Sequence, residues 1–449
     1  MNTISRYANP VNSGTVGIRY GYLLPAVAMM LGWGLRGFIG GGPFGAMIPG
    51  AMVILTLAVL YPRRDWTMLA AFGAVGVGFG GEMTYGQTVG FIIKAETFWW
   101  GFWGLGLKGA IWGALAGAVI GMGFTPRWRF VLGGGLVMTG ATWVGWKLIN
   151  EPKVIYFSNL LDRPRAEIWA GFWLAAIALV AYLVWQGKGQ PARRLALAGF
   201  VGGFIGFGFG GAIQGLGRIF TPELKLHWWK YMEFFFGFCF GWALAWATAR
   251  SVLPAEEGLE EETAPSMWVE IVAAAAVTGA LFWLSWNLPI RFGYLVAGSG
   301  VLVVVARYRW LAKHVAYTVT FTAVALDLAR YWSKEYHRGA PEPAYAMAVV
   351  ASLAFGWMVM QWDGDARRML ELLIWACVGD ALLKFAINPA GLIALVDHVA
   401  IGFALMAAAV SYLVRRHDRE CVLRGIGGEE GGSLPPRGVA AATRELGSR

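Results

Sequence analysis

Charge is scarce in this sequence. Asp, Glu, Lys and Arg make up 14% of its 449 residues, against about 25% in a soluble globular chain, which excludes a surface that faces water all round. Cysteine is scarcer still, with Cys239, Cys377 and Cys421 far apart. No CxxC or Cys/His ligand spacing occurs, so neither a disulfide framework nor a zinc site is expected. The five histidines are scattered and never form HxxxH. No metal or other cofactor is expected. Gly32-x-Gly34-x-x-Gly37 has the spacing of a dinucleotide fingerprint, but it lies in an apolar span with no strand before it, and the fingerprint needs that strand. A removable signal peptide is not expected either. The first sixteen residues are polar, and the apolar run that follows is too long and lacks a small-residue cleavage site.

What the chain has in abundance is apolar length. Hydrophobic residues make up 57% of it, in runs long enough to cross ~30 Å of hydrocarbon at ~1.5 Å per residue. The pattern predicts an all-α polytopic membrane protein of about fourteen spans. Their limits are 17–40, 43–61, 66–93, 97–123, 130–149, 168–186, 195–218, 228–249, 267–286, 290–306, 310–330, 342–360, 369–387 and 389–413. The eleventh is interrupted by Lys313, His314 and Asp327, and the turn Gly40-Gly41-Gly42-Pro43 between the first two could belong to a re-entrant element.

Every second connection but one is basic, with Arg63 and Arg64, Arg127 and Arg129, Lys188 with Arg193 and Arg194, Arg307 with Arg309 and Lys313, Arg367 and Arg368, and Arg415 and Arg416. The exception is the acidic connection after span 8, with Glu256, Glu257 and Glu260 to Glu262, and acidic residues weigh little in setting orientation. By the positive-inside rule both termini are cytoplasmic, in a bacterial-type inner membrane. The same loops account for the net charge of +10, so the expected partners are the lipid bilayer and a small-molecule solute rather than nucleic acid. Association into a homo-oligomer is compatible with the sequence.

Four regions are expected: an eight-span half over 1–253, an acidic cytoplasmic linker over 254–266, a six-span half over 267–414 and a disordered tail over 415–449. Within the first half, Gly73-x-x-Gly76-Val-Gly78-Phe-Gly80-Gly81 reappears as Gly203-x-x-Gly206-Phe-Gly208-Phe-Gly210-Gly211, a shift of 130 residues that also carries Trp99 onto Trp229 and Trp112 onto Trp242. Spans 1–4 and 5–8 therefore read as two parallel four-helix repeats, related by an axis along the membrane normal. Gly109, Gly113, Gly117 and Gly121 fall every fourth residue, a ridge that lets another helix approach closely. Where glycines crowd at every second position, in spans 3 and 7, the helix is expected to be broken or very closely approached.

Ionisable groups inside spans are costly and point to function. Here they gather at the ends predicted to face outward. The candidates for binding a solute or ion are Arg36, Glu82, Gln87, Lys108, Lys147, Glu151, Gln214, Arg218, Asp327, Asp380, Lys384, Asp397 and His398. Lys108 lies ~16 Å into its span at ~1.5 Å per residue, too deep to reach water, and Glu82 is its nearest carboxylate on the preceding span. Asp380 and Lys384, four apart, can pair on one helix face. Asp397-His398, read as eight residues inside the last span, sets a carboxylate beside an imidazole that could relay protons. Tryptophans such as Trp99, Trp100, Trp228, Trp229 and Trp310 belong to interfacial belts.

Two functions fit. One is a transporter or channel for a small polar solute, anions included, with a cavity open to the outer face. The other is a membrane-embedded glycosyl- or acyltransferase acting on a lipid-linked substrate at that face.

Overall fold

The computed structural model describes residues 19–61, 65–125, 127–159, 165–224, 226–250, 265–336, 342–361, 365–387 and 397–423. Among these residues there are helices and no strands. A helix meets its own backbone donors and acceptors, which lipid cannot do.

Helix α1 (Leu24–Arg36) is entered through a wide turn at Arg19–Leu23 and stops at a run of glycines. From there α2 (Gly42–Leu60) returns. A second break separates α3 (Trp66–Gly80) from the short α4 (Gly86–Ile92), and α5 (Phe98–Gly123) follows. Next come α6 (Trp128–Gly145), α7 (Trp169–Trp185), α8 (Gln190–Phe220) and α9 (Trp228–Ala249). The remainder is α10 (Met267–Asn287), α11 (Gly293–Arg307), α12 (Ala312–Ala316), α13 (Thr318–Tyr336), α14 (Glu342–Gln361), α15 (Ala366–Ile387) and α16 (His398–Leu423). Six of these are long and apolar enough to cross a membrane: α2, α5 with the turn before it, α8, α9, α10 and α16. Shorter apolar stretches lie in α3, α7, α11 and α14. The chain is a multi-pass helical bundle of membrane character.

Glycine sets the closest contacts. The ridge on α5 lies against the α8 backbone: a Cβ on Gly109, Gly113, Gly117 or Gly121 would fall 2.3, 1.9, 2.2 or 2.2 Å from backbone atoms of Gly203, Gly199, Leu195 or Ala192. Helix α8 uses its glycines on two sides, Gly199 and Gly203 toward α5 and Gly202, Gly206 and Gly210 toward α9. The C-terminal helices pack on the first ones, α15 on α2 and α16 on α1, while α11 packs on α3 and α6.

Three boundaries differ from those read in the sequence. The third span, expected over 66–93 with its glycine-crowded stretch broken or very closely approached, is two helices parted at Gly81–Tyr85. The eleventh, expected over 310–330, is broken at Tyr317 and continues to Tyr336. The last begins at His398 and runs to Leu423, so 415–423, expected in the tail, are helical. Ion pairs Arg415–Glu371, Arg416–Glu420 and Arg367–Asp418 line these last turns. They extend the helix beyond the point where hydropathy ends. Residues 254–264 of the acidic linker expected over 254–266, residues 389–396 of the last span, Arg63, Arg64 and the tail after Leu423 lie outside the described residues.

Candidate functional site

Two helix breaks face each other at one end of the bundle. The first follows Arg36, where Gly40, Gly41 and Gly42 take φ of 78°, 63° and 55°, a region that costs an L side chain roughly 1–2 kcal/mol per residue. The second follows Gly80. There the last carbonyls of α3 are met one by one: Val77 O by the Trp112 indole N–H at 2.7 Å, and Gly78, Phe79 and Gly80 O by the N–H groups of Gly81, Glu82 and Met83 at 2.8, 3.1 and 3.0 Å. These bonds satisfy the orphan acceptors of a helix end. The breaks touch where a Cβ on Gly81 would lie 2.5 Å from Gly42 O and from Pro43 Cα. Between and above them opens a cavity of about 890 Å³, within the range of small-molecule sites.

Arg36 ends α1 in this cavity. It is only 3% exposed. One guanidinium nitrogen donates to Tyr85 Oη at 2.8 Å, and the guanidinium carbon sits 5.6, 5.5 and 5.1 Å from the rings of Trp33, Tyr85 and Trp112. These ring faces attract a cation, yet Nε has no hydrogen-bond partner, and no carboxylate pairs with Arg36 among the described residues. A buried cation without a counter-charge costs several kcal/mol.

The carboxylates of the cavity are committed elsewhere. Glu82 accepts the N–H groups of Tyr294 and Leu295 at 2.8 and 3.1 Å, capping the N-terminus of α11, where negative charge is favoured. Glu233 accepts from Lys230 at 2.5 Å and from the Trp229 indole at 2.9 Å. Asp327 pairs with Lys384, which also donates to Phe38 O at 2.5 Å and meets Asp380 at 3.2 Å. Arg165 and Arg330 also line the cavity, and neither forms an ion pair among the described residues. The lining therefore holds more positive charge than its own acids neutralise.

Lys108 is buried, as its depth requires, but its carboxylate is Glu167 at 2.7 Å, not Glu82. It donates also to Thr84 O and Thr88 Oγ1 at 2.7 and 2.8 Å. Glu167, in the loop before α7 and not among the sequence candidates, is 2% exposed. It further accepts from Phe157 N–H at 3.0 Å and Ser158 Oγ at 2.9 Å. The loop before α7 folds inward, delivering a counter-charge that lies 59 residues from its partner.

Other candidates stand apart. Lys147 and Glu151 pair at 2.7 Å on the surface, 39% and 46% exposed. Gln87 is half-buried on α4, Gln214 is buried on α8 and Arg218 is exposed at the end of α8; none lines the cavity. Asp397 and His398 stand at the start of the last helix rather than eight residues into it. Asp397 directly precedes α16 and accepts the Val399 N–H at 2.7 Å, as a helix-capping carboxylate does. It also meets His227 at 3.2 Å, while His398 lies flat on Tyr231.

The cavity gains residues that the sequence reading placed elsewhere. Trp229, assigned to an interfacial belt, lines it beside Tyr85, with ring centroids 5.7 Å apart. Glu233, Arg165 and Tyr331 line it too and are not among the sequence candidates. Trp229 and Glu233 had one available sign: they share the first turns of one helix. Among the described residues no group of three or more His, Cys, Asp or Glu could hold a metal ion. Compared with protein-family models, curated proteins and solved structures, the chain has no match.

Proposed function

We propose that the chain is a membrane transporter or channel that takes a small anionic solute into the cavity between the two helix breaks. Arg36 carries this reading. A buried guanidinium, caged by three rings and left without a carboxylate, lacks a counter-charge that a bound anion would supply. Broken helices meeting at a polar cavity are a common way for transporters to receive a charged solute. A glycosyltransferase would need a carboxylate free to act as base, whereas Glu82, Glu233 and Asp327 are each engaged.

The proposal includes about fourteen crossings, both termini cytoplasmic, and a cavity that opens outward. The cavity residues sit at the C-terminal ends of α1, α3 and α15 and at the N-terminal ends of α2 and α9. The opposite ends carry Arg194, Arg250, Arg367 and Arg415. It also includes the two four-helix repeats, whose α5 and α9 begin at Phe98 and Trp228, 130 residues apart.

Proteoliposomes on a solid-supported membrane test the reading. At least one of phosphate, succinate and gluconate should drive a current that Arg36→Gln abolishes. A current of wild-type size in Arg36→Gln would refute it. Reporter fusions after Arg194 and Arg416 should both report the cytoplasm; an external signal from Arg194 would turn the cavity inward.

A further inference from the structure

Resting on the anion reading of this cavity, we infer that the bound group is a phosphate monoester, held jointly by Arg36 and by the main chain at the N-terminus of α2. Two independent observations meet here. The first is the Arg36 side chain, 97% buried by its 3% exposure, lining the cavity with an unpartnered Nε. With Tyr85 on one terminal nitrogen, the fork of Nε and the other terminal nitrogen is left for a bidentate oxyanion.

The second is the start of α2, a helix of 19 residues. Gly41 N–H is used by Arg36 O at 3.0 Å, and the first intrahelical bond runs from Gly45 N–H to Gly41 O, also at 3.0 Å. The N–H groups of Gly42 and Phe44 meet no backbone acceptor. Orphan donors and the helix dipole make such an end a receptor for an oxyanion. The glycines keep that approach clear: a Cβ on Gly41 or Gly42 would meet nothing within 4 Å, so a methyl there would occupy the space over the N–H groups.

Charge selects the class of head group. Arg36, Arg165 and Arg330 line the cavity without ion pairs, and Glu82 is the one lining carboxylate without a cation beside it. The remaining balance favours a dianion over a monoanion. A phosphate monoester carries about two negative charges near neutral pH and three oxygens for the guanidinium, the helix end and a second arginine. The cavity of about 890 Å³ leaves room for an organic remainder, with the rings of Tyr85 and Trp229 as a wall. The monoester can come from a soluble metabolite or from a phosphatidic acid head group.

Isothermal titration of the full chain in detergent separates these possibilities, with glycerol phosphate, dihexanoyl phosphatidic acid and succinate as probes. At least one phosphate probe should bind about tenfold or more tightly than succinate, because only it completes the fork and the helix end together. Arg36→Gln and Gly42→Ala should each weaken it by about tenfold or more, while Gly208→Ala leaves it unchanged. Preference for glycerol phosphate identifies a soluble solute, and preference for phosphatidic acid identifies a lipid. If Gly42→Ala does not fold, Gly42→Asn, which tolerates positive φ, takes its place. Wild-type affinity in the Gly42 variant, or succinate binding as tightly as phosphate, overturns the inference. If Arg36→Gln still abolishes binding in that case, the anion site itself stands; if no probe binds in any form, both fall.

Discussion

Helices α3 and α8 begin with the same glycine pattern and end differently. In α8, Gly203 meets Gly109, and Gly206 and Gly210 meet the α9 backbone at Phe236 and Met232. Helices flank it on both sides, and it runs unbroken for 31 residues. In α3 the glycines of the matching pattern meet mostly side chains, and a break follows: Gly73 meets Ile54 and the Gly50 backbone, and Gly76 meets Val119. Gly78 faces the Tyr294 ring, Gly80 faces the Trp112 indole, and Gly81 faces the other break at Gly42 and Pro43. Glycine spacing alone therefore permits close packing without breaking a helix. The break goes with polar residues found on one side only of the 130-residue shift, which carries Glu82 and Lys108 onto Ala212 and Phe238. Glu82 reaches across to cap α11, and Lys108 takes the Thr84 carbonyl that the break leaves over.

If that is what distinguishes the two regions, Lys108→Met should have the largest effect. It strands Glu167 in the interior, and breaking one side of a buried pair costs about 3–5 kcal/mol. Chemical unfolding in detergent should show the loss, and Lys108→Met combined with Glu167→Gln should recover part of it as a coupling energy. Additive effects would mean that the pair does not hold the break. Next is Gly78→Ala, whose methyl would lie 2.4 Å from Tyr294 Oη; overpacking of this kind costs about 1–3 kcal/mol.

Glu82→Ala should follow at about 1 kcal/mol, the usual loss on removing a helix cap, and should raise hydrogen exchange at Tyr294 and Leu295. Unchanged exchange there would remove Glu82 from the support of the break. The smallest change is expected for Gly208→Ala, 130 residues after Gly78 in the matching glycine pattern. Its methyl would make ordinary contacts of 3.4–3.6 Å, so stability should stay level or rise by up to about 1 kcal/mol. A large loss there would erase the contrast between the two helices.

Much of this was legible from period and composition. Apolar length marks the helices, and the four-residue glycine period on α5 marks the face that α8 covers. Depth along a span showed that Lys108 needs a partner. What a helical period cannot give is the lateral neighbour. Glu167 arrives from a loop that folds inward, and Glu82 is taken by a helix 212 residues away, so the pair read from adjacency was not the pair formed. Hydropathy likewise averages over a capping residue such as Asp397, so the helix start at His398 is not visible to it. Trp229 resembles any interfacial tryptophan until its helix start is seen to wall a cavity.

Thermal unfolding of Arg36→Gln beside the wild type, with and without anions, tests most directly whether Arg36 is a ligand-binding charge. Removing a buried charge that has no counter-ion should leave the melting temperature of the anion-free protein unchanged or raise it. It should also remove the stabilisation that a bound anion gives the wild type through mass action. A lower melting temperature without anions, together with an undiminished shift when they are added, would make Arg36 a structural cation and place the anion elsewhere.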